Sequence, residues 1–191
     1  MNTTIEFTER LKTATQEQHL AIEKAYWMAQ LMNPCLKQDE YIIILKKWYQ
    51  AIYSFEQELR LQKEKIEQVV PDWADRQKGL LLETDFKILN EALPEMEEQK
   101  DSNNVNELIG EFYVMEGSTL GRRVILKQLS KHSWFHPSFG NFFSGYGAET
   151  GNKWVNFRNY LNQYFLADDE KSGQTINGAK KAFESMYRHF N

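Results

Sequence analysis

Three residues near the N-terminus have types and spacing that could hold a metal. His19 stands in LKTATQEQHLAIEK (residues 11–24), with Glu23 four residues later and Lys12 seven residues earlier. On a helix these share one face, the carboxylate one turn from the imidazole and the ammonium about 10 Å away at ~1.5 Å per residue. A metal-bound imidazole commonly gives its other ring N–H to a carboxylate, and a glutamate at i+4 is placed to receive it. The same pattern also suits a plain surface histidine. Far along the chain, EFYVMEGSTLGRRVILKQL (111–129) is helical by pattern, with Phe112, Met115, Leu120, Val124 and Ile125 at helical spacing. It nevertheless holds Gly117 and Gly121, each costing a helix interior roughly 1 kcal/mol relative to alanine. Four residues apart, the two share a face and let the backbone approach something flat, either another helix or a planar ligand.

Two metal-site chemistries can be weighed on these residues. A di-iron site in a four-helix bundle needs Glu-x-x-His pairs, and the sequence has none. A haem site needs one axial histidine and a facing surface free of bulky side chains, which His19 and the Gly117/Gly121 pair supply together. Rim cations for the haem propionates are available at Lys12, Lys153 and Arg158. His132 and His136 fall in an aromatic loop and His189 at the C-terminal end. The single Cys35 excludes an internal disulfide and any multi-cysteine metal site.

The elements that must position these residues read as helices. One is expected over about 5–31, stopped by Asn33 and Pro34, and a second from Gln38 or Asp39 through Trp48, Ile52, Phe55 and Leu59 toward Ile66. Pro71 opens a third with an apolar stripe of Leu80, Leu81, Phe86 and Leu89, followed by a solvated loop at 95–104. After the glycine-bearing helix, SKHSWFHPSFGNFFSGYGAETG (130–151) reads as a long loop packed by its own rings, of the kind that covers a site. Helices resume at Asn152 to Phe165 and at about Thr175 to Phe190, the latter starting weakly because of Gly173 and Gly178. With no alternating pattern and no repeat, the expectation is an all-α fold, and 191 residues fit a single domain, 1–191. Net charge −4 without a basic cluster argues against nucleic acid, the longest apolar runs are too short to span a membrane, and the acidic N-terminus carries no signal, so the location expected is cytoplasmic.

Three segments together resemble bacterial haem oxygenases: LKTATQEQHLAIEK (11–24), FYVMEGSTLGRRVILKQL (112–129) and FFSGYGAETGNKWVNFRNYL (142–161). The resemblance implies a single-domain helical bundle with haem, both cofactor and substrate, between the first helix and the glycine-containing distal helix. It implies His19 as proximal iron ligand, Glu23 as its hydrogen-bond partner, Lys12 and Arg158 as propionate partners, and Gly117, Ser118 and Gly121 over the haem. The activity implied is cleavage of haem to biliverdin, CO and Fe2+ with O2, using electrons from an external ferredoxin, flavodoxin or reductase. A haem-binding carrier or sensor of the same fold is the alternative. The sequence departs from the family at Arg122, where a second small residue is usual. One position beyond Gly121 is about 100° around the helix, so Arg122 is expected beside the haem, reaching the pocket edge toward a propionate or a neighbouring acid.

Overall fold

The apolar periodicity is realised as helix, and no strand occurs among the described residues of the computed structural model, which are 5–96, 104–166 and 169–191. The first helical run is jointed rather than continuous. It divides into α1 (Phe7–Ala14), α2 (Gln16–Ile22) and α3 (Tyr26–Gln30). Thr15 makes the first joint: its backbone leaves helical values at φ −110°, ψ 4°, and its hydroxyl turns back to donate to the Leu11 carbonyl at 2.8 Å. A threonine that satisfies a carbonyl in this way competes with the helix ladder, and no proline or glycine marks the spot.

The expected second helix begins at Gln38, with the Glu40 carboxylate accepting the Lys37 N–H at 2.8 Å. It breaks at Gln62 into α4 (Gln38–Leu61) and α5 (Lys63–Val69). Along α4, Tyr41, Ile44, Leu45, Trp48, Ile52, Phe55 and Leu59 form a buried stripe that is the spine of the core. The third helix starts later than Pro71, with one turn of 3₁₀ helix at Trp73–Arg76 and then α6 (Gly79–Leu89). It buries Leu82 and Phe86, whereas Leu80 is 72% exposed, because two positions along a helix is more than half a turn around it. Of the acidic loop expected at 95–104, residues 97–103 lie outside the described residues.

The remaining helices are α7 (Val105–Leu129), α8 (Asn141–Ser144), α9 (Thr150–Tyr164) and α10 (Asp169–Phe190). α7 begins at the Asn104 cap, whose side chain accepts the N–H groups of Asn106 and Glu107 at 3.0 and 3.3 Å. It crosses α10 at very short range. A Cβ placed on Gly110 would stand 2.1 Å from the Thr175 carbonyl oxygen, and one on Gly178 would stand 2.2 Å from that of Glu107. Gly178 is therefore no weak start: it lies mid-helix, where only a glycine allows two backbones to meet, and Ser172, Thr175, Ala179 and Ala182 continue the small buried face.

Residues 130–151 carry short helical turns rather than an open loop. Phe142 and Phe143 are buried, the Tyr41 hydroxyl donates to the Phe139 carbonyl at 2.9 Å, and the Trp134 indole donates to that of Leu36 at 2.9 Å. Buried Asp85 accepts the backbone N–H groups of Asn141 and Phe142, both at 2.9 Å. The segment is packed by its rings as expected, but it backs α7 on the side of Arg122, whose guanidinium meets the Phe142 carbonyl, and of Leu126, which touches Gly140. These positions are turned about 100–140° from Gly121, so the segment supports the glycine-bearing helix from behind.

Candidate functional site

α2 and the first half of α7 both lie against α10, and each turns a different kind of surface outward. His19 sits in the middle of α2 with 57% of its side chain exposed. Its ring meets Phe183 of α10 edge-on at 5.7 Å, which fixes the ring plane. Nδ1 lies 3.6 Å from the Glu23 carboxylate, an electrostatic approach just beyond hydrogen-bond length, and leaves Nε2 as the nitrogen available to a ligand. Leu20 beside it is exposed.

On α7 the outward face is Gly117, Leu120, Gly121 and Val124. A Cβ on Gly121 would meet nothing within 4 Å, and one on Gly117 would make ordinary contact with the Trp154 ring at 3.7 Å. Neither glycine serves helix packing, which Gly110 and Gly178 provide. Leu120 is 45% and Val124 59% exposed, so the strip is apolar and lacks side chains only at its two glycines. Trp154 of α9 forms one wall, with the Tyr113 ring 5.5 Å away. Burial pushes the Tyr113 hydroxyl up to about 12, against the pull of Arg158, so it is a donor throughout the neutral range. Sequence reasoning passed over Tyr113 and Trp154. Tyr113 was findable, since it stands four residues before Gly117 as Gly117 stands before Gly121.

The three cations expected at a rim differ from one another. Arg158 of α9 reaches α1, donating to Glu9 at 2.7 Å, Glu6 at 3.4 Å and the Thr8 hydroxyl at 3.2 Å. Lys12 of α1 is exposed. Lys153 is held by Asp72 at 3.2 Å, at the edge of a buried charge cluster.

That cluster lies on the core side of α7 and joins segments remote in sequence. Glu116 accepts from Arg76 at 2.6 Å, from the Lys78 ammonium and from the Tyr146 hydroxyl at 2.8 Å, while Arg76 also binds Asp72 at 2.7 and 2.9 Å. Burial alone would raise the Glu116 carboxyl, but Lys78 and Arg76 hold it below its ordinary value. Burial pulls Lys78 down despite Glu116. The cluster fixes the residue directly before Gly117 and so sets where the open face stands.

Arg122 departs from expectation. It is 2% exposed and turned inward, donating through Nη1 to the Phe142 carbonyl at 3.0 Å and through Nη2 to the Ser118 hydroxyl at 3.2 Å. The Phe142 ring lies 3.9 Å from the guanidinium carbon. The side chain does not extend to a pocket edge, because aromatic faces and a free carbonyl receive it in the core. Burial brings it down to about 10, which still leaves it charged at neutral pH.

The family model described as Heme oxygenase matches residues 5–191. This chain belongs to the heme oxygenase family. Among solved structures it is similar to the NO- and CO-bound heme oxygenase from Neisseria meningitidis, at 21% identity over 98% of this chain and 91% of that one, with a TM-score of 0.83. Heme oxygenase from Leptospira interrogans follows at 17% identity, 97% and 98% coverage and TM-score 0.80. The heme-bound heme oxygenase-1 from the cyanobacterium Synechocystis gives 14% identity, 98% and 91% coverage and TM-score 0.78. Comparison with curated proteins gives no match. The likeness to these structures concerns the fold, which is the all-α arrangement expected of the heme oxygenase family. No helix among the described residues is long and apolar enough to cross a membrane.

Proposed function

We propose that this chain cleaves haem oxidatively to biliverdin, CO and Fe2+, using O2 and electrons from an external ferredoxin, flavodoxin or reductase. The observation that carries the reading is the pairing, on two helices that share α10 as support, of an accessible imidazole with an open, apolar, side-chain-free strip at Gly117 and Gly121. The donor set fits haem: one accessible imidazole nitrogen for iron, apolar surface for a flat macrocycle, and cations on the adjoining helices α1 and α9 for its carboxylates. Haem, when bound, supplies the iron and the oxygen chemistry.

The protein's part is to bind, orient and exclude water. His19 would offer Nε2 to the iron, with Glu23 near Nδ1 helping to hold the ring's orientation. Gly117 and Gly121 would let the α7 backbone come close to the bound group, where a side chain would take up space needed for O2. The apolar side chains of Leu120, Val124 and Trp154 beside the glycines would help keep that space dry. Lys12 and Arg158, on the adjoining helices α1 and α9, would attract the two propionates, with Lys153 a further candidate. Arg158 must then be shared between Glu9 and a propionate. The inward course of Arg122, away from the open strip, favours turnover over a carrier or sensor in which that side chain closes the site.

Hemin titration tests the reading. Wild type should develop a sharp Soret band and, with ascorbate or with ferredoxin and its reductase, yield biliverdin. His19→Ala should keep its helical circular dichroism, lose the wild-type haem spectrum and make no biliverdin. A variant that keeps both spectrum and turnover would show that another residue is the ligand.

A further inference from the structure

We propose that Arg122 is a positioning residue for the distal side of the site, acting through the Ser118 hydroxyl. The inference rests on the haem reading above. Ser118 is half-buried on the α7 turn that begins at Gly117, and its hydroxyl is spoken for twice. It donates its one proton to the Met115 carbonyl at 2.7 Å and accepts from Arg122 Nη2 at 3.2 Å. A hydroxyl has one donor and two acceptor positions, so a single lone pair remains. Any water or ligand that meets Ser118 must donate to it and cannot receive a proton from it.

The geometry that imposes this is over-determined. Nη1 is fixed on the Phe142 carbonyl at 3.0 Å, the Phe142 ring stacks at 3.9 Å and the Trp48 ring lies at 5.7 Å, so the guanidinium cannot swing away from Ser118. Gly145, at φ +50°, turns the backbone just past this carbonyl and passes close to Nη1, where a Cβ would come within 3.8 Å. The residue is also an expensive one for a core. Its guanidinium is bonded to neutral oxygens only among the described residues, and its buried Nε–H has no partner there. A methionine of similar length would pack at less cost. Stability does not explain Arg122; fixing the orientation of one hydroxyl beside Gly117 and Gly121 does.

Carbon monoxide is the probe, added to the dithionite-reduced hemin complex and read by its infrared stretch, which falls when a donor points at the ligand's outer atom. Arg122→Met removes the donor that pins Oγ and leaves only the Met115 carbonyl holding the Ser118 proton, so the hydroxyl should turn toward the ligand part of the time and move the band to lower frequency. Arg122→Lys keeps the charge but cannot fork onto both oxygens, so its band should lie between the two. In a Ser118→Ala background, Arg122→Met should cause no further shift, because coupled residues are non-additive. A wild-type band in Arg122→Lys and Arg122→Met, or an undiminished shift in the Ser118→Ala background, overturns the inference. If Arg122→Met does not fold, Arg122→Lys against Ser118→Ala decides it on the same criteria. A wild type without a Soret band instead sinks the haem reading itself, which separates the two failures.

Discussion

Within α7, glycine is used in two opposite ways about three turns apart. At Gly110 the missing side chain is filled by another backbone, for a Cβ there would stand 2.1 Å from the Thr175 oxygen. At Gly121 it is filled by nothing within 4 Å. The first is structural and belongs to the α7–α10 crossing, completed by Gly178 from the other side. The second contributes nothing to packing and even costs the helix something, so its reason must be sought in what approaches from outside. Close packing and close approach to a ligand look alike as glycines in a helix; only the neighbouring atoms tell them apart.

The sharpest way to break this contrast is to put side chains at both kinds of position. Gly178→Leu forces α7 and α10 apart along their backbones, and its cooperative thermal transition, followed by circular dichroism, should be lost or lowered by well over 10 °C, since overpacking of about 3 kcal/mol already removes roughly 6–12 °C in a chain of this size. A near-normal melt would show that the crossing is looser than 2.2 Å implies. Lys78→Met probes the core side of α7 between the two regions. It leaves Glu116 with Arg76 and Tyr146 only, and should cost about 3 kcal/mol in denaturant unfolding. Gly121→Ala should do the reverse of Gly178→Leu: melting rises by up to the few degrees that ~1 kcal/mol of helix propensity allows, while hemin affinity falls. If stability drops, or hemin binding is untouched, the open strip is not the contact surface.

The smallest effect concerns Glu111, on the α7 turn between the two regions. Burial, with Glu58 adding repulsion, raises its carboxyl to about 8. Because the folded state holds this proton more tightly than the unfolded chain, stability should fall as pH rises from about 4.5 through about 8 and level off above it. Glu111→Gln should flatten that part of the melting-temperature profile between pH 5 and 9. An identical slope in the variant would assign it to other groups.

How much of this was legible follows the same division between local and distant. His19 and Glu23 were legible because one turn of helix brings i and i+4 together whatever the rest of the fold does. The all-α class followed from period alone. The joint at Thr15 was not legible, since a threonine hydroxyl bonding its own helix leaves no mark in the hydrophobic pattern. Nor was the role of Gly178, which depends on Gly110 lying across from it, nor the meeting of Arg76, Lys78, Glu116 and Tyr146 from three separate segments. The 100° offset turns Arg122 off the face of Gly117 and Gly121, but the side chain's inward course depended on Phe142, which the sequence leaves 20 residues away.

The joint at Thr15 also has a mechanical side. α1 is tied to α9 through Arg158 and Glu9 and to the start of α10 through Arg10 and Asp169, whereas α2 rests on α10 through the contact of His19 with Phe183. The break at Thr15 gives the two segments separate axes, so the bearing of the imidazole is set by how α2 sits on α10 rather than by the course of α1.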